Sequence, residues 1–194
     1  ATLLMLRLAR SFDAIATPAE RAWRRILTPA AKFWICKRAL EFTGECMEIL
    51  GGNGYVESAP LARLYREAPV NSIWEGSGNV MCLDMLRAME RDAEGFALIL
   101  AELANIAGGD ARLRSMLASL QTDLLVNPEQ QKMMARRIAQ KLVLLVQGCL
   151  MLQHVPPAMA DAFISSRFDA ECGRVYGTLA IGAQDSILER ALPA

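Results

Sequence analysis

Two glycine-marked breaks fall within residues 47–84 (MEILGGNGYVESAPLARLYREAPVNSIWEGSGNVMCLD), and the second carries an acid, Glu75, in the run Ser72-Ile73-Trp74-Glu75-Gly76-Ser77-Gly78-Asn79. An apolar neighbourhood raises a carboxylate pKa toward the range of a general base, and Gly76 lets backbone approach a flat ligand. An acid ahead of a helix also complements the helix dipole, and the residue pattern alone favours that plainer role. The first break, GGNGY, lacks the preceding strand of a dinucleotide-binding loop and the Lys-Ser/Thr of a phosphate-binding loop. It reads as a helix C-terminus with Gly and Asn in left-handed backbone angles, as a close approach to a ligand phosphate, or as both.

Other chemistries have little to work with. His154 is the sole histidine and sits in LMLQHVPP at a predicted helix end, so Ser-His-Asp and Cys-His arrangements would both have to use it. Glu41, Glu45 and Glu48 share one helix face, but the Glu-x-x-His partners of a di-iron bundle are missing, so a surface acidic stripe is favoured and no metal is expected. Cys36, Cys46, Cys82, Cys149 and Cys172 are odd in number and widely spaced, which suits small core residues in a reducing cytoplasm.

These residues need elements to hold them, and the start signals are nearly all helical. Residues 2–15 have a helical period, and Thr17-Pro18-Ala19-Glu20 is a capping box that predicts a helix from Pro18. Thr28-Pro29 repeats the cap-then-Pro pattern ahead of a long apolar-periodic run that Gly51 and Gly52 stop; this run is the expected central helix. Asp110, Asn127-Pro128 with Gln130, and Pro156-Pro157 each open a further helix. Apart from the short apolar segment 70–73, nothing reads as a strand, so the expected fold is all-α, an antiparallel helical bundle.

At 194 residues and 53% hydrophobic, the chain is long enough to bury a sizeable core without a metal or disulfide staple. No apolar run reaches membrane-spanning length, and the opening, with basic residues inside its hydrophobic run, suits an amphipathic helix better than a signal peptide. Basic and acidic residues balance at 21 each, which argues against a globally basic nucleic-acid binder. Locally the balance shifts: residues 1–38 hold eight bases against two acids, and residues 39–94 four against ten.

The order GGNGY, LARLYREA, SIWEGSGN resembles the C-terminal helical domain of the acyl-CoA dehydrogenase flavoproteins, and TPAAKFWICKRAL with LYREAPVNSIWEGSGNVMCLD is similar to their AidB-like branch, associated with the response to DNA alkylation. The resemblance implies a helical core over residues 1–92, with residues 93–194 adding helices to the same bundle as one domain overall. It implies FAD as cofactor and Glu75 as the catalytic base that removes the α-proton of an acyl-CoA thioester. Gly76, Ser77 and Asn79 match positions near the flavin or its nucleotide, and Gly51 and Gly52 match a loop that contacts the FAD of a neighbouring subunit in a homotetramer. Trp74, where the family has Tyr, would line and narrow the acyl pocket. The family's N-terminal helical and middle β domains are not in this sequence, so the segment alone is expected to hold no FAD and to have little dehydrogenase activity.

Two other functions follow from the same resemblance. One is DNA binding, with Arg21, Arg24 and Arg25, or Arg137 and Lys141, as candidate phosphate contacts. The other is a tetramer-assembly module, for which residues 142–152 serve either as a core helix or as a subunit interface, the core being favoured.

Overall fold

The computed structural model describes residues 1–13, 17–169, 176–179 and 184–191, and every regular element among them is helical. The long central helix, α2 (Pro18–Ile49), begins where the capping box predicts, Thr17 Oγ1 accepting from the Glu20 amide at 3.2 Å. It does not restart at Pro29. Thr28 Oγ1 instead donates to the Arg24 carbonyl at 2.6 Å, and Pro29 lies inside one continuous 32-residue helix. A mid-helix proline costs about 3 kcal/mol, and the buried Ile26, Leu27, Ala30 and Ala31 around it hold the helix together through that point.

Around α2 pack α1 (Thr2–Asp13), the single turn α3 (Gly52–Tyr55), α4 (Pro60–Asn71), α5 (Gly78–Arg91) and α6 (Ala93–Ala107). Residues 70–73 belong to the end of α4 and the turn after it, with Pro69 tolerated in the last turn. The predicted end of α1 at Ile15, like Cys172, lies outside the described residues. An Arg7 guanidinium 4.0 Å over the Trp23 ring joins α1 to α2; Arg7 also pairs with Glu20 at 2.8 Å, and Trp23 Nε1 donates to Glu102 of α6 at 2.7 Å. Part of the basic charge of the first helices is therefore neutralised internally.

A second buried helix, α9 (Ala135–His154), lies against α2, α5 and α6 and carries α7 (Ala111–Leu124) and α10 (Pro157–Phe168) on its other sides. Residues 142–150 are buried throughout, so this run is core of the chain itself. Asp110 caps α7 and Asn127 caps the short α8 (Pro128–Met133), while α11 (Gln184–Ala191) packs near α10. One cluster of buried side chains runs from Leu4 through Trp23, Met85 and Ile99 to Leu145 and Ile164. Among the described residues no helix is long and apolar enough to cross a membrane.

Candidate functional site

Glu75 sits in the link between α4 and α5. The end of α4 unwinds through turn bonds from the Ser72 and Ile73 amides to Pro69 and Val70, and from Trp74 again to Val70. The chain then reverses through two left-handed residues, Glu75 (φ 52°) and Gly76 (φ 112°). Glu75 is the one non-glycine with positive φ among the described residues, a conformation that costs an L-residue about 1–2 kcal/mol. Strain of this kind survives where the surroundings over-determine it, and it clusters at functional sites.

Lys32, projecting from the middle of α2, reaches both ends of this link. Its Nζ donates to the Gly76 carbonyl at 2.7 Å and to the Asn71 carbonyl at 3.3 Å. The start of α5 seats directly on α2, where a Cβ at the buried Gly78 would meet Phe33 and Lys37 atoms at 3.1–3.2 Å.

Glu75 and Lys32 line one open cleft of about 470 Å³ with Phe12, Arg24, Arg25, Thr28, Pro29, Met81 and Asp84. Arg25 makes a bidentate pair with Asp84, both contacts 2.7 Å, and this pairing holds the Asp84 carboxyl below its ordinary range. The Arg24 guanidinium lies 5.4 Å from the Phe12 ring centre. Among the described residues Glu75 itself makes no ion pair or hydrogen bond, although cations line the same cleft. The apolar enclosure expected around it is not formed by this chain: Glu75 is exposed, and so are Ile73 (64%) and Trp74 (59%).

The second group of predicted residues lies elsewhere. Gly51 (φ 54°) ends α2, its amide donating to the Glu48 carbonyl at 2.9 Å, whereas Asn53 is helical and not left-handed. A Cβ on Gly51 or Gly52 would meet nothing within 4 Å, so bare backbone faces open space there. Gly54, whose role its residue type alone does not reveal, is the packed member of the motif: a Cβ would fall 2.2 Å from the Met47 carbonyl oxygen. Along α2, Lys32 and Ile49 are roughly 25 Å apart at 1.5 Å per residue, so the two glycine breaks do not converge on one site within this chain.

At the start of α5, Ser77 occupies the N-cap position without a side-chain cap bond. Ser77, Asn79 and Val80 are exposed, which leaves helix-terminal amides with no side-chain partner from Ser77. Asn79 Oδ1 accepts from Arg136 Nε at 3.4 Å.

Three of the five basic residues considered for DNA, Arg25, Arg137 and Lys141, are paired with carboxylates, Arg25 and Arg137 at the surface. Asp123, 6% exposed at its side chain, accepts from Arg137 Nε at 2.9 Å and from Lys141, whose Nζ also donates to Ser119 Oγ at 2.6 Å. Burial pushes the Asp123 carboxyl up, but the Lys141 and Arg137 hydrogen bonds outweigh it and hold the group below its usual value. Arg25 belongs to Asp84, and Arg21 is exposed at the start of α2.

Glu41 pairs with Arg38 along α2, and the described residues contain no cluster of three metal-binding side chains. Cys82 and Cys149 are buried, burial pushing their thiols up to about 11 and about 12 respectively, whereas Cys36 and Cys46 are half-buried and so are not core residues in the full sense expected.

Residues 1–90 match the family described as Acyl-CoA dehydrogenase, C-terminal domain. The chain is 44% identical over 172 residues to AidB of Escherichia coli (strain K12), a stretch covering 89% of this chain and 31% of that protein. It is 30% identical over 177 residues to acyl-CoA dehydrogenase family member 11 of Caenorhabditis elegans, covering 81% of this chain and 28% of that one. Among solved structures, Caenorhabditis elegans ACDH-11 in complex with C11-CoA superposes with a TM-score of 0.70 at 25% identity, over 97% of this chain and 36% of that one. The apo form of Bd2924 superposes at 0.65 with 34% identity, over 76% of this chain and 28% of that one. The chain thus spans about three tenths of the length of these two relatives.

Proposed function

Because the chain belongs to the acyl-CoA dehydrogenase family, as an AidB-like C-terminal helical segment, we propose that it supplies the base of a flavin-dependent α,β-dehydrogenation of an acyl-CoA thioester. The observation that carries this reading is Glu75: an unpaired carboxylate, in strained left-handed backbone ahead of Gly76, at the edge of an open cleft. A Glu carboxylate oxygen receives the α-proton as the α C–H bond breaks, and the electron pair of that bond enters the new α,β double bond. FAD, when bound, supplies the acceptor for the hydride that leaves the β-carbon.

The residues fit such a cofactor at two places. The α5 N-terminus, uncapped by the Ser77 side chain, offers amides and the positive end of the helix dipole to a phosphate. Gly51 and Gly52 present bare backbone to whatever lies beyond the chain. Their distance from Glu75 along α2 fits contact with the cofactor of a neighbouring subunit, which requires a homo-oligomer such as the family's tetramer. Exposed Ile73 and Trp74 then face the acyl chain or the other domains of the subunit, which close the pocket that this segment leaves open.

The test is Glu75→Gln in the flavin-loaded protein. Dehydrogenation of acyl-CoA is expected to fall by at least about a thousandfold, within the range of general-base contributions, with the flavin absorbance retained. Turnover at the wild-type rate would remove Glu75 from the mechanism.

A further inference from the structure

We propose that Lys32 is a positioning residue for Glu75, an ammonium clamp that holds the α4–α5 link in its left-handed turn and keeps the carboxylate unpaired. The inference rests on the assignment of Glu75 as the base.

Three observations carry it. First, the local turn bonds of the link stop at Trp74, and the residues that need the most support, Glu75 and Gly76, come after them. Lys32 Nζ supplies that support from a different helix, bonding the carbonyl of Gly76 on one side of the turn and that of Asn71 on the other. The link is tied at both ends by one charged donor, and bonds to charged donors are the stronger class.

Second, among the described residues Lys32 has no carboxylate partner, although Glu75 and Asp84 line the same cleft. An ammonium beside two acids ordinarily pairs with one of them. Here Asp84 is already taken by Arg25, and the two backbone carbonyls engage Lys32, so neither cation neutralises Glu75. A carboxylate bound to either would be a poorer proton acceptor.

Third, the surroundings leave Lys32 little freedom to do anything else. It is half-buried on the face of α2 between Pro29 and Phe33, both buried, and the next anchor of the link, Gly78, packs on Phe33 and Lys37 of the same helix. A side chain at Gly76 would be strained, because its φ of +112° is a conformation that L-residues rarely adopt. The Gly76 carbonyl is therefore presented from glycine-favouring backbone to a half-buried lysine already engaged by two carbonyls.

The experiment uses the flavin-loaded protein with Lys32→Met, Lys32→Arg and Glu75→Gln, and two readouts. One is deuterium uptake at the α-carbon of butyryl-CoA in D2O, with its pH profile; the other is backbone amide exchange across residues 72–77. Lys32→Met is expected to slow α-deuteration about a hundredfold, the size of effect that a misplacement near 1 Å produces, while the concentration of butyryl-CoA at half-maximal rate changes less than about threefold, the signature of lost positioning without lost binding. It is also expected to speed amide exchange at 72–77 about tenfold with α2 unchanged, as local opening does. Lys32→Arg, which still donates to carbonyls, should restore most of both.

Wild-type deuteration and wild-type amide exchange in Lys32→Met would overturn the proposal, as would a uniform rise in exchange across α2 and α5 that Lys32→Arg fails to correct, since that is general destabilisation. The Glu75→Gln control separates the two ideas. Deuteration that survives in it, alongside fast 72–77 exchange in Lys32→Met, sinks the base assignment and leaves Lys32 a purely structural clamp.

Discussion

The two long buried helices of this chain treat their surroundings differently. Around α9, apolar side chains find partners within the chain: residues 142–150 are all buried, and between 93 and 169 the large exposed apolar side chains reduce to Leu98, Leu125 and Met133. Around the second half of α2 and the elements it carries, large apolar side chains stay exposed in number, among them Phe42, Ile49, Leu50, Tyr55, Ile73 and Trp74. Charge follows the same division. Buried Asp123 is doubly paired by Lys141 and Arg137, whereas Glu75 at the cleft is unpaired. One region buries its apolar side chains within the chain; the other shares that core on its inner face and leaves apolar surface, bare glycine backbone and an unpaired acid on its outer one. This contrast is what a C-terminal helical segment needs if it is to lend its chemistry from that outer face.

Substitutions on the two sides should therefore fail in different ways. The largest loss of stability is expected from Leu145→Ala in the fully buried α9 seam, about 3–4 kcal/mol for a buried Leu truncated to Ala, read as the midpoint of urea unfolding. Asp123→Asn should cost about 2 kcal/mol, in the range of hydrogen bonds to charged groups, because it removes the carboxylate that faces Lys141 and Arg137 while Lys141 keeps its bonds to Ser119.

The same pair gives a pH test. Asp123, Asp110 and Asp84 all have folded-state carboxyls held below their ordinary values. The stability they contribute is thus complete above the unfolded carboxyl pKa of about 3.9, and is lost as pH falls through the lower folded values. Thermal midpoints should be flat above about pH 5 and drop steeply below about pH 4; in Asp123→Asn that drop should be shallower, and an equally steep one would mean the pair contributes nothing.

A smaller and sharper contrast lies inside one motif. Gly54→Ala drives a Cβ into the Met47 carbonyl and should destabilise by about 2 kcal/mol, in the range of overpacking, whereas Gly52→Ala meets nothing and should stay within about 0.5 kcal/mol. If Gly52 faces a cofactor or a second subunit, its substitution should appear instead in flavin retention or in sedimentation. A stability loss at Gly52 equal to that at Gly54 would dissolve the distinction between a packed and a lent glycine.

The sequence made the bundle legible where capping chemistry is local. Thr17-Pro18-Glu20, Asp110 and Asn127-Pro128 all cap helices at the places their side chains predict. It misled at Thr28-Pro29, where the same local signal is overridden by the burial of Ile26, Leu27, Ala30 and Ala31 on either side of the proline along the helix. Glu75 was legible as a candidate through the order of the two glycine breaks and the family resemblance that order carries, since an acid before a helix reads by itself as a dipole partner. The apolar enclosure inferred for it was not, because the enclosing atoms are not supplied by this chain. Lys32 was invisible for a different reason: it lies 39 and 44 residues from its partners along the chain, and its partners are backbone carbonyls that leave no mark in residue types. Arg137 and Lys141 looked like available charge because their buried counterion, Asp123, belongs to another helix.

On the proposed function, the chemistry at Glu75 is separable from the stability of the core around α9. That separation is tested most directly by measuring thermal midpoint and acyl-CoA turnover together on Glu75→Gln and Leu145→Ala in the flavin-loaded protein. The account predicts a crossed result: Glu75→Gln keeps the wild-type midpoint and loses turnover, while Leu145→Ala, assayed well below its lowered midpoint, keeps turnover. A Glu75→Gln protein that turns over normally, or one that loses turnover only because it unfolds, would contradict it.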